Sequence, residues 1–176
     1  MNQPTPRMRW HHVVLLAGLV LIGAMFRFHR IAANGLWLDE YWAVYLATGR
    51  GDAIFNMPHG RIIESPPKTT FVNAPHAWHI WTGIDSVIHP PLYYLVLRGW
   101  IDLFGDGDFS IRSLSAMFSL GAIVVLFDVI RRLQDPWTGL IGAAFAAFAP
   151  VQIDFSQQAR PYAMLVFLGL LVVEAM

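Results

Sequence analysis

The stretch IHPPLYYLVLRGWIDLFG, residues 88–105, decides how this chain meets a membrane. Two prolines open a mostly apolar run, as they do at the start of many helices. Proline is tolerated in a first turn and holds the residue before it extended. From Pro91 to Phe104 the run is about 14 residues, against the roughly 20 that a bilayer core requires. It also carries Arg98 and Asp102. Wound as a helix, Leu92, Leu95, Val96, Gly99, Trp100 and Leu103 recur at helical spacing on one face. Arg98 and Asp102 pair at i, i+4 on another. The pattern predicts an amphipathic helix lying on the membrane surface, not crossing it.

The composition supports a membrane setting. Of 176 residues, 56% are hydrophobic and 14% charged, whereas soluble domains have about 45–50% and 25%. The mean hydropathy is +0.48. Basic and acidic residues balance, so there is no footprint for nucleic acid. With no cysteine there is neither a disulfide framework nor a thiolate metal site.

Three further runs are long and apolar. Residues 11–28 follow Arg7 and Arg9 and predict a first span; the alternative, a cleavable signal peptide, fits poorly with the run's length and with Phe26-Arg27-Phe28-His29 at its end. Residues 113–130 precede Arg131-Arg132 and predict a second. Residues 137–153, rich in Gly and Ala, predict a third. A fourth begins at Pro161 and is cut short at Met176, so the chain reads as the N-terminal piece of a longer protein.

Charge then sets the topology. The positive-inside rule places Arg7, Arg9, Arg131 and Arg132 in the cytoplasm. Two crossings must separate the pairs, which keeps 91–104 out of the bilayer. The expected order is a cytoplasmic terminus (1–10), a span (11–28) and an external loop (29–112) with amphipathic helices near 38–48 and 91–104. A span (113–130), a cytoplasmic turn (131–136), a span (137–153), an external loop (154–160) and a truncated fourth span (161–176) follow. The fold class is all-α integral membrane, with about four transmembrane helices. The turn-rich part of the long loop, from Arg50 to Asp85, reads as irregular.

Polar residues gather at the outer ends of these runs. Two readings stand for Asp39: a helix N-cap, with Glu40 as a first-turn acid, or a general base at the membrane surface. A helical face over 38–48 would comprise Leu38, Tyr41, Trp42 and Tyr45. His89 is held by the two prolines and either marks a rigid helix start or faces a phosphate or an acid. Asp154, Gln157, Gln158, Arg160 and Tyr162 lie between the third and fourth runs, as a polar turn or as a ligand-binding cluster. Arg160 and Arg112 suit phosphate, because a guanidinium donates a fixed fork of hydrogen bonds. His76 and His79 have His-x-x-His spacing but no evident carboxylate partner, so a divalent metal is not indicated and no cofactor is expected.

Taken in order, these pieces resemble a family. A first span, W-x-D-E at 37–40, HPPLYY at 89–94, an RRL turn at 131–133 and SQQARPY at 156–162 look like the N-terminal part of GT-C glycosyltransferases. The closest group is the dolichyl-phosphate-mannose-protein mannosyltransferase-like family, with its aminoarabinose and rhizobial lipopolysaccharide sugar transferases. The resemblance implies a sugar donor linked to polyprenyl phosphate, a hydroxyl acceptor on protein, lipid or glycan, and chemistry on the external face. It implies Asp39 as the catalytic base, Glu40 as a neighbouring acid, and His89 near the donor phosphate. Arg160 and its flanking residues would complete the site. Relatives commonly have an acid where this chain has Gln158; Asp154, four residues earlier, can share a helical face with it. Competing readings are a transporter subunit, which would place ionisable residues mid-helix, and a non-catalytic scaffold. The short turns and lack of cysteine lean towards a bacterial plasma membrane, with the active side facing the periplasm.

Overall fold

Apolar runs and prolines set where each helix starts and stops. A computed structural model describes residues 8–51, 60–62, 69–83 and 90–176. Among the described residues the chain forms α1 (Trp10–Phe28), α2 (Leu38–Ala47), α3 (Trp78–Thr82), α4 (Leu92–Phe104), α5 (Asp108–Leu133), α6 (Pro136–Phe148), α7 (Pro150–Ser156) and α8 (Tyr162–Ala175), and no strand. Two compact units share them. One takes the chain up to Ile31, Ser115–Gln158 and Tyr162–Met176; the other takes Ala32–Leu114 and Ala159–Pro161.

The first unit is the apolar one. α1 and α5 are each long and apolar enough to cross a membrane. Ile123 and Phe127 of α5 and Leu140, Ala143 and Ala147 of α6 form its core, with Leu16, Leu19 and Val20 of α1 packed on them. Close approach of α5 and α6 depends on glycine. A Cβ at Gly139 would stand 3.0 Å from the Phe127 backbone oxygen, which cannot yield as a side chain would.

Three boundaries differ from the sequence reading. α5 begins at Asp108, five residues ahead of the expected 113, so Arg112 lies on a helix and not in the loop. Asp108 suits the positive end of the helix dipole, and Arg112 finds a buried acid partner, so neither charge ends the helix. Arg131 and Arg132 likewise belong to the last turn of α5 and not to a turn at 131–136. The third run, expected unbroken over 137–153, is two helices bent by 59°. Pro150 has no N–H for the Ala146 carbonyl and biases Ala149 to an extended conformation, observed at φ −61°, ψ 118°. The second piece runs on to Ser156, which puts Asp154 on a helix instead of in a loop. α8 is apolar but has only 14 residues. The expected four spans are therefore two single helices, one broken pair and one shorter helix.

Asp135 caps α6, its Oδ1 accepting from the N–H groups of Trp137 (2.8 Å) and Thr138 (3.2 Å), with Pro136 at the first helical position.

In the second unit α2 and α3 both pack on α4. Ala43, Val44, Leu46, Ile80, Tyr93, Tyr94, Leu97 and Ile101 are buried there. α4 matches the expected 91–104 helix, but its buried face does not. Leu92 and Leu103 are exposed, while Tyr93, Tyr94, Leu97 and Ile101 point inward. The helix has two apolar rows, and the row of Tyr93, Leu97 and Ile101 is the one that packs. α2 also departs from its expected face: Leu38 is exposed, and the whole turn from Ala43 to Ala47 is buried. α3 is helical within a stretch read as irregular; Ile80 anchors it. Arg98 and Asp102 do pair, at 3.3 Å.

Gly139→Leu should lower the thermal unfolding midpoint in detergent, at a cost of about 1–3 kcal/mol from overpacking. Gly18→Ala, with nothing within 4 Å of the added Cβ, should leave that midpoint unchanged or raise it.

Candidate functional site

The WLDE motif places two adjacent acids in different surroundings. The N-cap position of α2 is Trp37, so Asp39 is not the cap. Glu40, three residues into the helix, accepts from the Trp37 N–H at 3.2 Å, as the acid of a capping box does. Its carboxylate is fully buried. Oε1 also accepts from Arg112 Nε (2.8 Å) and from the Ala159 N–H (2.8 Å), and Oε2 from Arg112 Nη2 (2.6 Å). Two parallel bonds from one guanidinium make this the strong, planar form of an ion pair.

Arg112 was expected among the donor-phosphate residues. Its guanidinium instead closes on Glu40, on the Asn34 carbonyl (2.7 Å) and on the Gly35 carbonyl (3.0 Å). Only 6% of the residue is exposed. Glu40 and Arg112 therefore fix the framework: they tie the start of α2, the first turn of α5 and the strip Ala159–Pro161 together.

Asp39 is held differently. Its side chain is 28% exposed, and Arg160 Nη1 lies 3.4 Å from its Oδ2 and 3.4 Å from its carbonyl oxygen. These are long contacts, at the edge of hydrogen-bond range. The Asp39 carboxylate thus keeps part of its surface open, whereas that of Glu40 has none.

The remaining candidates lie in the other unit, apart from His89, which is outside the described residues. Asp154 Oδ2 accepts from Gln158 Nε2 at 3.0 Å, the i, i+4 pairing expected from the sequence. The Tyr162 ring packs against Phe155 at a tilt of 38°, with centroids 4.9 Å apart. Gln157, expected among substrate-binding residues, donates its amide to the carbonyls of Phe26 (3.0 Å), Arg27 (3.3 Å) and His29 (3.1 Å) at the end of α1.

Among the described residues no group of three or more His, Asp or Glu side chains is placed to hold a metal ion. His76 Nδ1 accepts from the Trp78 N–H.

Sequence reasoning missed one residue of weight. Arg27 is fully buried near the end of α1. It donates from Nε to Ser119 Oγ (2.8 Å), from Nη1 to the carbonyls of Gly23 (3.2 Å) and Ala147 (3.1 Å), and from Nη2 to the Ala146 carbonyl (2.9 Å). The signal was present, since an arginine inside an apolar run is costly unless it faces protein partners.

Apolar helices of spanning length, with paired acids and arginines at helix ends, define a helical membrane protein. The family model described as dolichyl-phosphate-mannose-protein mannosyltransferase matches residues 88–176, just over half of the chain, and the chain belongs to that family. It is thus a glycosyltransferase-like membrane protein. Neither a curated protein nor a solved structure matches it.

Glu40→Ala should strand the Arg112 charge and destabilise the protein by about 3–5 kcal/mol. Arg112→Lys, which cannot reproduce the fork, should also lower the unfolding midpoint. Both are read by thermal unfolding in detergent.

Proposed function

We propose that this chain carries the acceptor-activating part of a glycosyltransferase that uses a sugar linked to polyprenyl phosphate. Asp39 takes the proton of an acceptor hydroxyl on a protein, lipid or glycan. The acceptor oxygen bonds to the anomeric carbon, the bond from that carbon to the phosphate oxygen breaks, and polyprenyl phosphate leaves with the electron pair. Charge develops on the leaving phosphate, and fixed cations placed there lower the barrier. Arg160 is the guanidinium assigned to that charge; the family resemblance also assigns His89 to the donor phosphate and Asp154, Gln158 and Tyr162 to substrate binding. Arg112 and Gln157 are assigned to the framework instead.

The observation that carries this reading is the division between the two acids. Glu40 accepts four hydrogen bonds and is closed to chemistry, whereas the side chain of Asp39, the next residue, is 28% exposed and meets Arg160 only at 3.4 Å. A base must be reachable by the hydroxyl it serves, and Asp39 meets that condition.

The topology proposed with it keeps Arg9, Arg131 and Arg132 on the cytoplasmic side, with α1 and α5 as the crossings between them. Asp39 and Arg160 then work on the opposite face, in a bacterial plasma membrane the periplasmic one. Asp128, the one acid well inside an apolar run, supports this over a transport pathway. It pairs with Arg131 and Arg132 of its own helix, near the helix end.

With the full-length protein in proteoliposomes supplied with a polyprenyl-phosphate sugar, Asp39→Asn should lower the transfer rate at least about 100-fold, the usual span of general base catalysis, while its unfolding midpoint stays near that of the wild type. Transfer at the normal rate by a folded Asp39→Asn protein would remove Asp39 from the base role.

A further inference from the structure

α1 and the broken helix pair close each other's open ends. The last carbonyls of any helix lack intrahelical partners and are met by water or by side chains from elsewhere. At the end of α6 the Ala146 carbonyl loses its donor because Pro150 has no N–H. Arg27 of α1 donates to it and to the next carbonyl, Ala147. At the end of α1 the open carbonyls are those of Phe26, Arg27 and His29. Gln157, the C-cap residue of α7, donates to all three.

We propose that Arg27 and Gln157 form a two-way clamp that holds the Pro150 bend and thereby positions Asp154 and Gln158. The clamp grips α7 at both ends. Arg27 holds the carbonyls just before its first residue, and Gln157 follows its last. α7 has seven residues, about 10 Å of helix. Straightening a 59° bend would carry its far end roughly 10 Å sideways. Asp154 lies in that far turn and is bonded to Gln158, so the clamp fixes where this acid and amide stand. Arg27 and Gln157 act through them, as positioning residues. The bend is a claim about the fold alone; the effect on catalysis rests on the function proposed above.

The test uses the full-length protein in nanodiscs, with spin labels on cysteines introduced at Trp137 and Asp154, since the chain has none of its own. Wild type should give one narrow distance distribution. Arg27→Met and Gln157→Leu should lengthen it by about 3 Å, the difference between a bent and a straight path at 1.5 Å per residue, or split it in two. Arg27→Lys should restore part of the wild-type distance. In unlabelled protein the two disruptive variants should raise the donor KM at least ten-fold with a smaller loss in kcat, the reverse of Asp39→Asn. Unchanged distances in both variants would overturn the clamp. Shifted distances with unchanged KM would overturn the positioning role. If the wild type transfers no sugar, the function reading fails, and the distances alone decide the clamp. Should Arg27→Met not fold, Gln157→Leu at its half-buried site carries the same comparison.

Discussion

The Glu40 carboxylate is the point on which the second unit depends. Four donors from three distant parts of the chain, Trp37, Arg112 and Ala159, converge on its two oxygens. A buried ion pair adds little net stability, because desolvating both charges offsets their attraction, but losing one partner is costly. The pair therefore acts as a register, admitting one arrangement of α2, the start of α5 and the strip at Ala159–Pro161. It also determines what its neighbour does. Consecutive residues of an α-helix are turned about 100° from each other, so a Glu40 fixed inward leaves Asp39 facing outward. Arg160, which follows Ala159 directly, reaches Asp39 from the same strip. Framework and candidate chemistry are thus set by adjacent residues at both places.

A related constraint shapes the membrane unit. Each helix end there leaves carbonyls without intrahelical partners. Pro150 creates such an end in the middle of an apolar run, and Arg27 and Gln157 supply donors for the ends it joins. The glycine contacts between α5 and α6 belong to the same economy of close packing, since helices in lipid associate through fit and small residues.

Local signals marked most of the helices, though not the short α3 nor the limits of α5, α6 and α7. Apolar runs marked α1, α5 and α6, the Pro-Pro pair marked the start of α4, and Arg98 and Asp102 sat at the spacing where they do pair. The face of α4 was not legible, because Tyr93, Leu97 and Ile101 form one apolar row and Leu92, Val96 and Leu103 another. Periodicity cannot choose between two apolar rows; packing does. The break at Pro150 was written in the sequence but masked by the apolar run around it. Glu40 and Arg112 are 72 residues apart, and Arg27 and Ala147 are 120 apart. No window of local pattern links them, so Arg112 and Gln157 read as ligand residues when their donors belong to the framework. Asp39 and Arg160 were legible as candidates through the family motifs, and their meeting at 3.4 Å needed the fold.

For Asp39 to serve as proposed, its side of the chain must face away from the cytoplasm, at the surface where a lipid-linked sugar presents its head. Single cysteines at Gly99 and Leu133, placed one at a time in this cysteine-free chain, measure this directly through an impermeant thiol reagent applied to either side of sealed vesicles. The account predicts labelling of Gly99→Cys only from the external side and of Leu133→Cys only from the cytoplasmic side. Labelling of Gly99→Cys only from the cytoplasmic side would contradict it.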